Sequence, residues 1–125
     1  MGKGYKDLLV WQKARDLAVL IYSITNQGEF KKDYGLFDQI RRSAVSVPSN
    51  IAEGDERDTD KDSVRFLFIT KGSLAEFRTQ MDIAYQVGYI DEVVFLDVEE
   101  KTIQIGKMLG SLIKARRLQP IASDL

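Results

Sequence analysis

Apolar residues recur every three or four positions along most of the chain, and no alternating apolar and polar pattern persists. This spacing places apolar side chains on one face of an α-helix. It predicts four helices, approximately at residues 8–26, 34–56, 60–87 and 92–117. Gly28, then Gly54 with the polar run 55–60, and finally Gly88 interrupt the pattern. We predict an all-α fold, an antiparallel up-down four-helix bundle in which residues 1–125 form one domain.

Pro48 falls inside the second predicted helix, where a proline removes a backbone donor and costs about 3 kcal/mol. The apolar positions keep their phase across it, since Val47 and Ile51 continue the spacing of Ile40. We therefore predict one continuous, proline-kinked helix rather than two helices. Nearby polar side chains offer hydrogen bonds to the backbone groups that the proline frees. They are Ser46, Ser49 and Asn50.

The third predicted helix carries a second face, roughly opposite the one that faces the core. Its residues recur at helical spacing and are Phe68, Gly72, Ala75, Thr79 and Ile83. Gly72 and Ala75 are small enough for another backbone to approach closely, and Phe68 is large for an exposed residue. Scattered apolar residues are ordinary on a protein surface. Their grouping on one face nevertheless favours a subunit interface, and hence a homo-oligomer.

A polar stripe on the second predicted helix has two interpretations. Its residues fall within about 100° of one another and are Asp38, Arg42, Ser46, Ser49, Glu53 and Arg57. One interpretation, which periodicity alone favours, is a solvated face stabilised by acid–base pairs four residues apart. These pairs are Asp38 with Arg42, and Glu53 with Arg57. The other interpretation is a surface that binds a partner, with Arg41, Arg42 and Arg57 donating to phosphate or carboxylate groups.

The fourth predicted helix separates its charges by sign. Residues 91–100 include acids and no base, whereas residues 101–117 include bases and no acid. The helix dipole favours this order, so the basic end has a structural cause. Its last cations are also possible contacts to nucleic acid. They are Lys114, Arg116 and Arg117.

Composition excludes several kinds of catalytic and metal site. The 125 residues include no Cys and no His, which excludes a thiol nucleophile, a zinc finger and a Ser-His-Asp triad. The spacing of Asp58, Asp60 and Asp62 imitates the opening of a calcium-binding loop. Ser63 and Ile69 then stand where such a loop needs Gly and Glu. We expect no metal, no cofactor and no catalytic residue.

The overall charge and the hydropathy bear on the location of the protein and on its partners. Eighteen Lys and Arg against nineteen Asp and Glu give a net charge of −1, so the whole chain has no basic field. No uninterrupted apolar stretch approaches the ~20 residues of a membrane span, and no basic-plus-apolar leader opens the chain. We expect a cytoplasmic protein with no membrane partner.

Several segments carry motifs of a known family. Residues 9–14 read LVWQKA, residues 39–54 read QIRRSAVSVPSNIAEG, and residues 72–77 read GSLAEF. Tyr34-Gly35-Leu36 and Gly88-Tyr89-Ile90 accompany them. Together they resemble the bacterial four-helix-bundle family that is associated with intervening sequences of 23S rRNA genes. The chain is also similar to the accessory variability determinants of diversity-generating retroelements, which bind nucleic acid and a reverse transcriptase.

The resemblance implies an up-down bundle with a proline-kinked second helix, and a ring-like homo-oligomer with five subunits. It also implies a polar cluster in the longest motif, formed by Gln39, Ser46, Ser49, Asn50 and Glu53. The retroelement proteins are strongly basic, whereas this chain is close to neutral. Around residues 55–57 the chain also departs from the aromatic or glycine residues that commonly follow the Glu-Gly pair in the family.

We therefore expect a non-enzymatic, homo-oligomeric accessory protein that associates with rRNA or another nucleic acid. The expected contacts are Arg41, Arg42, Arg57, Lys114, Arg116 and Arg117. The alternative is a protein–protein adaptor without nucleic-acid binding, a class that near-neutral charge favours. Binding through phosphates weakens steeply with salt. A pull-down that recovers one protein and no nucleic acid would favour the adaptor.

Overall fold

The computed structural model describes residues 4–118, and most of them lie in four α-helices. These are α1 (Leu9–Thr25), α2 (Tyr34–Asp55), α3 (Asp60–Gln86) and α4 (Glu92–Leu118). Two short 3-10 helices, Gly4–Asp7 and Phe30–Lys32, precede α1 and α2, and no strand occurs within residues 4–118. Every α-helix boundary lies within one residue of its predicted position, and the all-α four-helix bundle is confirmed. Residues 1–3 and 119–125 of the predicted domain lie outside the described residues.

The helices follow one another around the bundle in chain order. Each packs against its neighbours in sequence, and α1 also packs against α4. The connections are short, at residues 26–33, 56–59 and 87–91. This packing order and these connections are the ones that an up-down topology requires.

Local sequence signals set the helix ends. The side chains of Asp33, Thr59 and Asp91 each accept a hydrogen bond from the backbone amide three residues later, at 3.1, 3.1 and 2.8 Å. Each bond satisfies one of the donors that the first turn of a helix leaves free. Gly88 follows α3 with a φ of +86°, a conformation that favours glycine.

The core combines the predicted helical faces with one residue from a connection. The apolar face of each of the four predicted helices lies in the core. Fully buried examples, one from each helix, are Ile21, Ile40, Phe77 and Ile105. Phe30 is buried equally well, although it lies in the short 3-10 helix before α2.

Tyr89 ties the connection between α3 and α4 to the start of α2. Its ring packs on Phe30 with centroids 5.3 Å apart. Its hydroxyl donates to Asp33 Oδ2 at 2.8 Å, while Oδ1 of the same carboxylate caps α2. The hydrogen bond to this carboxylate raises the pKa of Tyr89, because a phenolate would face a negative charge.

Helix α2 runs continuously through Pro48, whose ring is buried. Ser46 Oγ donates to the Ser43 carbonyl at 2.7 Å, and Asn50 Nδ2 donates to the Ser46 carbonyl at 2.9 Å. Two of the three polar residues that were predicted to support the proline therefore bond to the nearby backbone, but neither bond reaches the carbonyl four residues before Pro48, which is the one that the proline frees. The third, Ser49, is exposed and makes no side-chain hydrogen bond within residues 4–118.

Gly54 lies inside the last turn of α2, where α2 and α3 approach closely. A Cβ at this position would lie 3.0 Å from Phe66 Cβ and 3.3 Å from the Ser63 carbonyl oxygen. Contacts this short force the neighbouring atoms to move. Glycine at this position therefore sets the distance between the two helices.

We expect Gly54→Ala to lower the free energy of unfolding by about 1–3 kcal/mol, the usual cost of overpacking. Urea unfolding followed by circular dichroism measures it. Gly110→Ala is the matched control, because a Cβ at this exposed position of α4 meets nothing within 4 Å. The control is expected to raise stability by up to about 1 kcal/mol, since alanine favours helix. A stabilising Gly54→Ala would contradict the close approach of α2 and α3.

Candidate nucleic-acid interface

An open groove of about 690 Å³, here named the α1–α2 groove, is lined by residues of α1 and α2. Tyr22 comes from α1, and Tyr34 and Phe37 come from the first turns of α2. Arg41 and Arg42 follow one turn later. The groove therefore brings two of the six predicted nucleic-acid contacts together with three aromatic rings.

Arg41 is held in place by α1 and by aromatic rings. Its Nε donates to Thr25 Oγ1 at 2.9 Å, and this buried hydroxyl donates in turn to the Ile21 carbonyl at 2.8 Å. The guanidinium carbon lies 4.6 Å from the ring centroid of Tyr22 and 4.5 Å from that of Phe37. The two Nη groups donate to no acceptor within residues 4–118. Arg41 thus presents an oriented cation with free donors on both Nη groups.

Arg42 forms the ion pair with Asp38 that the sequence predicts, with Nε 2.9 Å from Oδ2. The hydrogen bond to Asp38, followed by the attraction between their charges, raises the pKa of Arg42. Exposed pairs of this kind contribute little to stability, so Arg42 can exchange Asp38 for another anion.

The prediction of a second ion pair, between Glu53 and Arg57, is wrong. Arg57 places its guanidinium carbon 4.3 Å from the ring centroid of Phe66, and Glu53 has no ion-pair partner within residues 4–118. A cation over an aromatic face replaces the expected helix-surface pair.

The polar cluster of the family motif lies mostly in the α1–α2 groove. Ser46, Ser49, Asn50 and Glu53 line it, whereas Gln39 is exposed and does not. Ser46 and Asn50 already bond to the backbone near Pro48, so they serve the helix as well as the groove wall.

Two further predicted contacts, Lys114 and Arg117, lie on a different surface. They line a smaller groove of about 410 Å³ between α3 and α4, here named the α3–α4 groove. Lys71 and Phe68 line it too. Arg117 Cζ lies 4.9 Å, and Lys71 Nζ 5.7 Å, from the ring centroid of Phe68. Two of the three cations in this groove, Lys71 and Arg117, thus contact one exposed aromatic ring.

Arg116 is used within the fold. Its Nη2 lies 2.9 Å from Asp55 Oδ1, and its Nη1 donates to Ser63 Oγ. The Arg116 and Asp55 side chains are only 17% and 19% exposed. These bonds join the end of α4 to the end of α2 and the start of α3.

All five residues of the predicted subunit interface lie on the exposed side of α3. Phe68 is 42% exposed, and a Cβ at Gly72 would meet nothing within 4 Å. Thr79 Oγ1 donates to the Ala75 carbonyl at 2.9 Å. This face, named the α3 face, leaves Gly72 open to a neighbouring molecule.

The residues that position Arg41 were not among the predicted site residues. Thr25, Tyr22 and Phe37 were not named as site residues, and nearby Tyr34 appeared only as part of a family motif. The aromatic residues close to the RR pair of the motif, Tyr34 and Phe37, were the available signal. The sequence has no local pattern that joins Thr25 to Arg41, sixteen residues later.

Within residues 4–118, no group of acidic side chains is placed to hold a metal ion. In the same range, no helix combines the length and apolar character needed to cross a membrane.

Comparisons with known proteins give a matching family model and a similar solved structure. A family model described as 23S rRNA-intervening sequence protein matches residues 6–111. A similar solved structure is the crystal structure of a protein with unknown function from the S23 ribosomal protein family of Bacteroides thetaiotaomicron. It is 25% identical, with a TM-score of 0.78, and the match covers 85% of this chain and 99% of that one. No curated protein matches the chain.

Proposed function

The chain belongs to the 23S rRNA-intervening sequence protein family, and we propose that it is a cytoplasmic, non-enzymatic and homo-oligomeric accessory protein that binds RNA through the α1–α2 groove. The proposal rests on the arrangement of Arg41. Its position is fixed by Thr25 and two aromatic rings, and its Nη donors are free. The family description supplies the link to rRNA.

The α1–α2 groove offers the two kinds of contact that RNA accepts. A guanidinium donates two parallel hydrogen bonds to phosphate oxygens. Exposed aromatic rings stack on bases, and Tyr34 and Tyr22 are 68% and 48% exposed. Arg42 adds a second cation beside Arg41.

The salt dependence of RNA binding distinguishes binding by this groove alone from binding by all six predicted cations. If all six predicted cations neutralised phosphates of a single strand, log K would fall with log salt with a slope of about −4. The two cations of the α1–α2 groove alone give a slope of about −1 to −2.

Fluorescence anisotropy with a labelled single-stranded RNA tests the proposal. Between about 50 and about 200 mM salt, we expect Kd to rise by about 4- to 16-fold. No binding at the lower salt concentration would reject RNA as the partner. A rise of several hundredfold would mean that more cations contribute than this groove contains.

Near-neutral charge favours a second candidate, a protein–protein adaptor. The net charge is −1, and within the α1–α2 groove Asp38 and Glu53 balance Arg41 and Arg42. A pull-down from the native host that recovers one protein and no RNA would decide for the adaptor.

The homo-oligomer in this proposal uses the α3 face. The exposed ring of Phe68 and the open backbone around Gly72 suit contact with a second copy. We expect five subunits, the number that the family resemblance implies.

We expect Gly72→Arg to lower the mass measured by light scattering towards that of a single 14.2 kDa chain. Helical content should persist, because Gly72 is exposed and a Cβ at this position meets nothing within 4 Å. Gly35→Arg is the matched control on α2, where the nearest atom to a Cβ is Asp33 Oδ1 at 3.9 Å. If Gly72→Arg leaves the mass of an oligomer unchanged, the α3 face is not the interface.

A further inference from the structure

The α1–α2 groove contains an exposed aromatic ring that packs against a second ring. Tyr34 is 68% exposed, and Phe37 packs against it in a T-shaped contact with centroids 5.2 Å apart. Tyr22 adds a second exposed ring from α1. Unpaired bases stack on such rings, whereas the bases of a duplex are already stacked on one another.

Arg41 offers donors in a geometry that its surroundings fix. Because Nε is bonded to Thr25 Oγ1, the two Nη groups remain for a ligand, and they match two oxygens of one phosphodiester. The Thr25 hydroxyl cannot turn freely, since it also donates to the Ile21 carbonyl. Thr25 is therefore a positioning residue for Arg41.

The charges of the α1–α2 groove do not favour a duplex. Asp38 already pairs with Arg42, and Glu53 adds a carboxylate to the same groove. Proteins that bind double-stranded RNA rely on many phosphate and 2′-hydroxyl contacts across its shallow minor groove. A charge-balanced groove with two cations supplies few of these contacts, but it supplies rings for stacking.

Resting on the proposed RNA binding, we propose that the α1–α2 groove selects unpaired nucleotides over duplex RNA, and that Thr25 strengthens binding by orienting Arg41. Tyr34 supplies the stacking surface, and Arg41 binds the adjoining phosphodiester. The preferred RNA is a single-stranded segment, such as a loop or a free end, whose bases can turn outwards.

Anisotropy measurements at low salt compare one labelled RNA strand, alone and annealed to its complement. We expect the single strand to bind about tenfold more tightly, the scale of one stacked base. Tyr34→Ala should remove this preference by weakening only single-strand binding, and Tyr34→Phe, which keeps the ring, should retain it. Circular dichroism confirms that each variant is folded.

Two substitutions separate the positioning role of Thr25 from its packing role. Thr25→Val keeps the shape but removes the acceptor for Arg41, so single-strand affinity should fall about 3- to 10-fold. Thr25→Ser keeps the hydroxyl but removes a buried methyl, so it should lower the melting temperature and retain affinity. A role in packing alone would move only the melting temperatures.

The outcomes distinguish this inference from the proposed function. If neither RNA binds, RNA binding itself is rejected. If both RNAs bind equally well, or Tyr34→Ala weakens both alike, RNA binding stands and selection of unpaired nucleotides is overturned. Wild-type affinity in Thr25→Val overturns the positioning role.

Discussion

Replacing Arg41 by alanine is expected to weaken binding of single-stranded RNA by about 10- to 100-fold. Hydrogen bonds to charged groups contribute about 1.5–3 kcal/mol, and each 1.4 kcal/mol changes Kd tenfold. Arg41 makes these bonds without first having to become ordered, because Thr25 and the rings of Tyr22 and Phe37 already hold it. Fluorescence anisotropy at low salt measures the change.

Two variants make the Arg41 measurement specific. Arg65→Ala removes the same charge from an exposed position of α3 that does not line the α1–α2 groove, and it should change Kd less than twofold. Arg41→Lys keeps the charge but loses the planar pair of donors, so it should recover only part of the affinity. Equal losses in Arg41→Ala and Arg65→Ala would mean that charge alone attracts the RNA.

Replacing Arg116 by alanine is expected to lower the free energy of unfolding by about 2–4 kcal/mol. The change leaves the Asp55 carboxylate, which is 19% exposed, without its ion-pair partner. It also removes the donor to Ser63 Oγ at the start of α3. Removing one member of a buried pair costs about 3–5 kcal/mol, and the remaining exposure of both side chains reduces that cost. Urea unfolding measures it.

Arg117→Ala is the matched control for Arg116→Ala, since it removes the same type of side chain from the next position of α4. Arg117 is exposed and contacts the ring of Phe68, so its loss should change stability by no more than about 0.5 kcal/mol. A folded Arg116→Ala protein should bind RNA as the wild type does. If its RNA affinity falls while its stability does not, Arg116 contacts RNA and its role in the fold is contradicted.

The helices could be predicted almost completely because their causes are local. The recurrence of apolar residues gives the lengths, and Asp91 and Gly88 mark the gap between α3 and α4 within a few positions. The same local reasoning found the continuous α2 helix, since the phase of its apolar face is unchanged across Pro48.

Parts of the fold that depend on distant partners could not be predicted in this way. Ser43 Oγ donates to Gln80 Oε1 at 2.7 Å, a buried bond between α2 and α3 across 37 positions of the chain. Each residue alone looks like a polar surface residue, and Phe30 lies in a connection too short for a periodic pattern. Packing, rather than local preference, places these three residues inside.

The candidate site shows the same limit. The sequence predicted Arg41 and Arg116 as equivalent cations, but their tertiary partners separate them. Arg116 meets Asp55, 61 positions away, and is used in the fold, whereas Arg41 meets a hydroxyl and two rings that leave its Nη donors free. Spacing on a helix predicts which side chains share a face, and the opposing helix then determines which cations remain available.

Photo-crosslinking to a single-stranded RNA that carries 4-thiouridine, mapped by mass spectrometry, tests the assignment of the RNA site to the α1–α2 groove most directly. We predict crosslinks at Tyr22, Tyr34 or Phe37, and their loss in the Arg41→Ala protein. Crosslinks confined to the α3–α4 groove around Phe68, or none at an RNA concentration that saturates binding, would contradict the assignment.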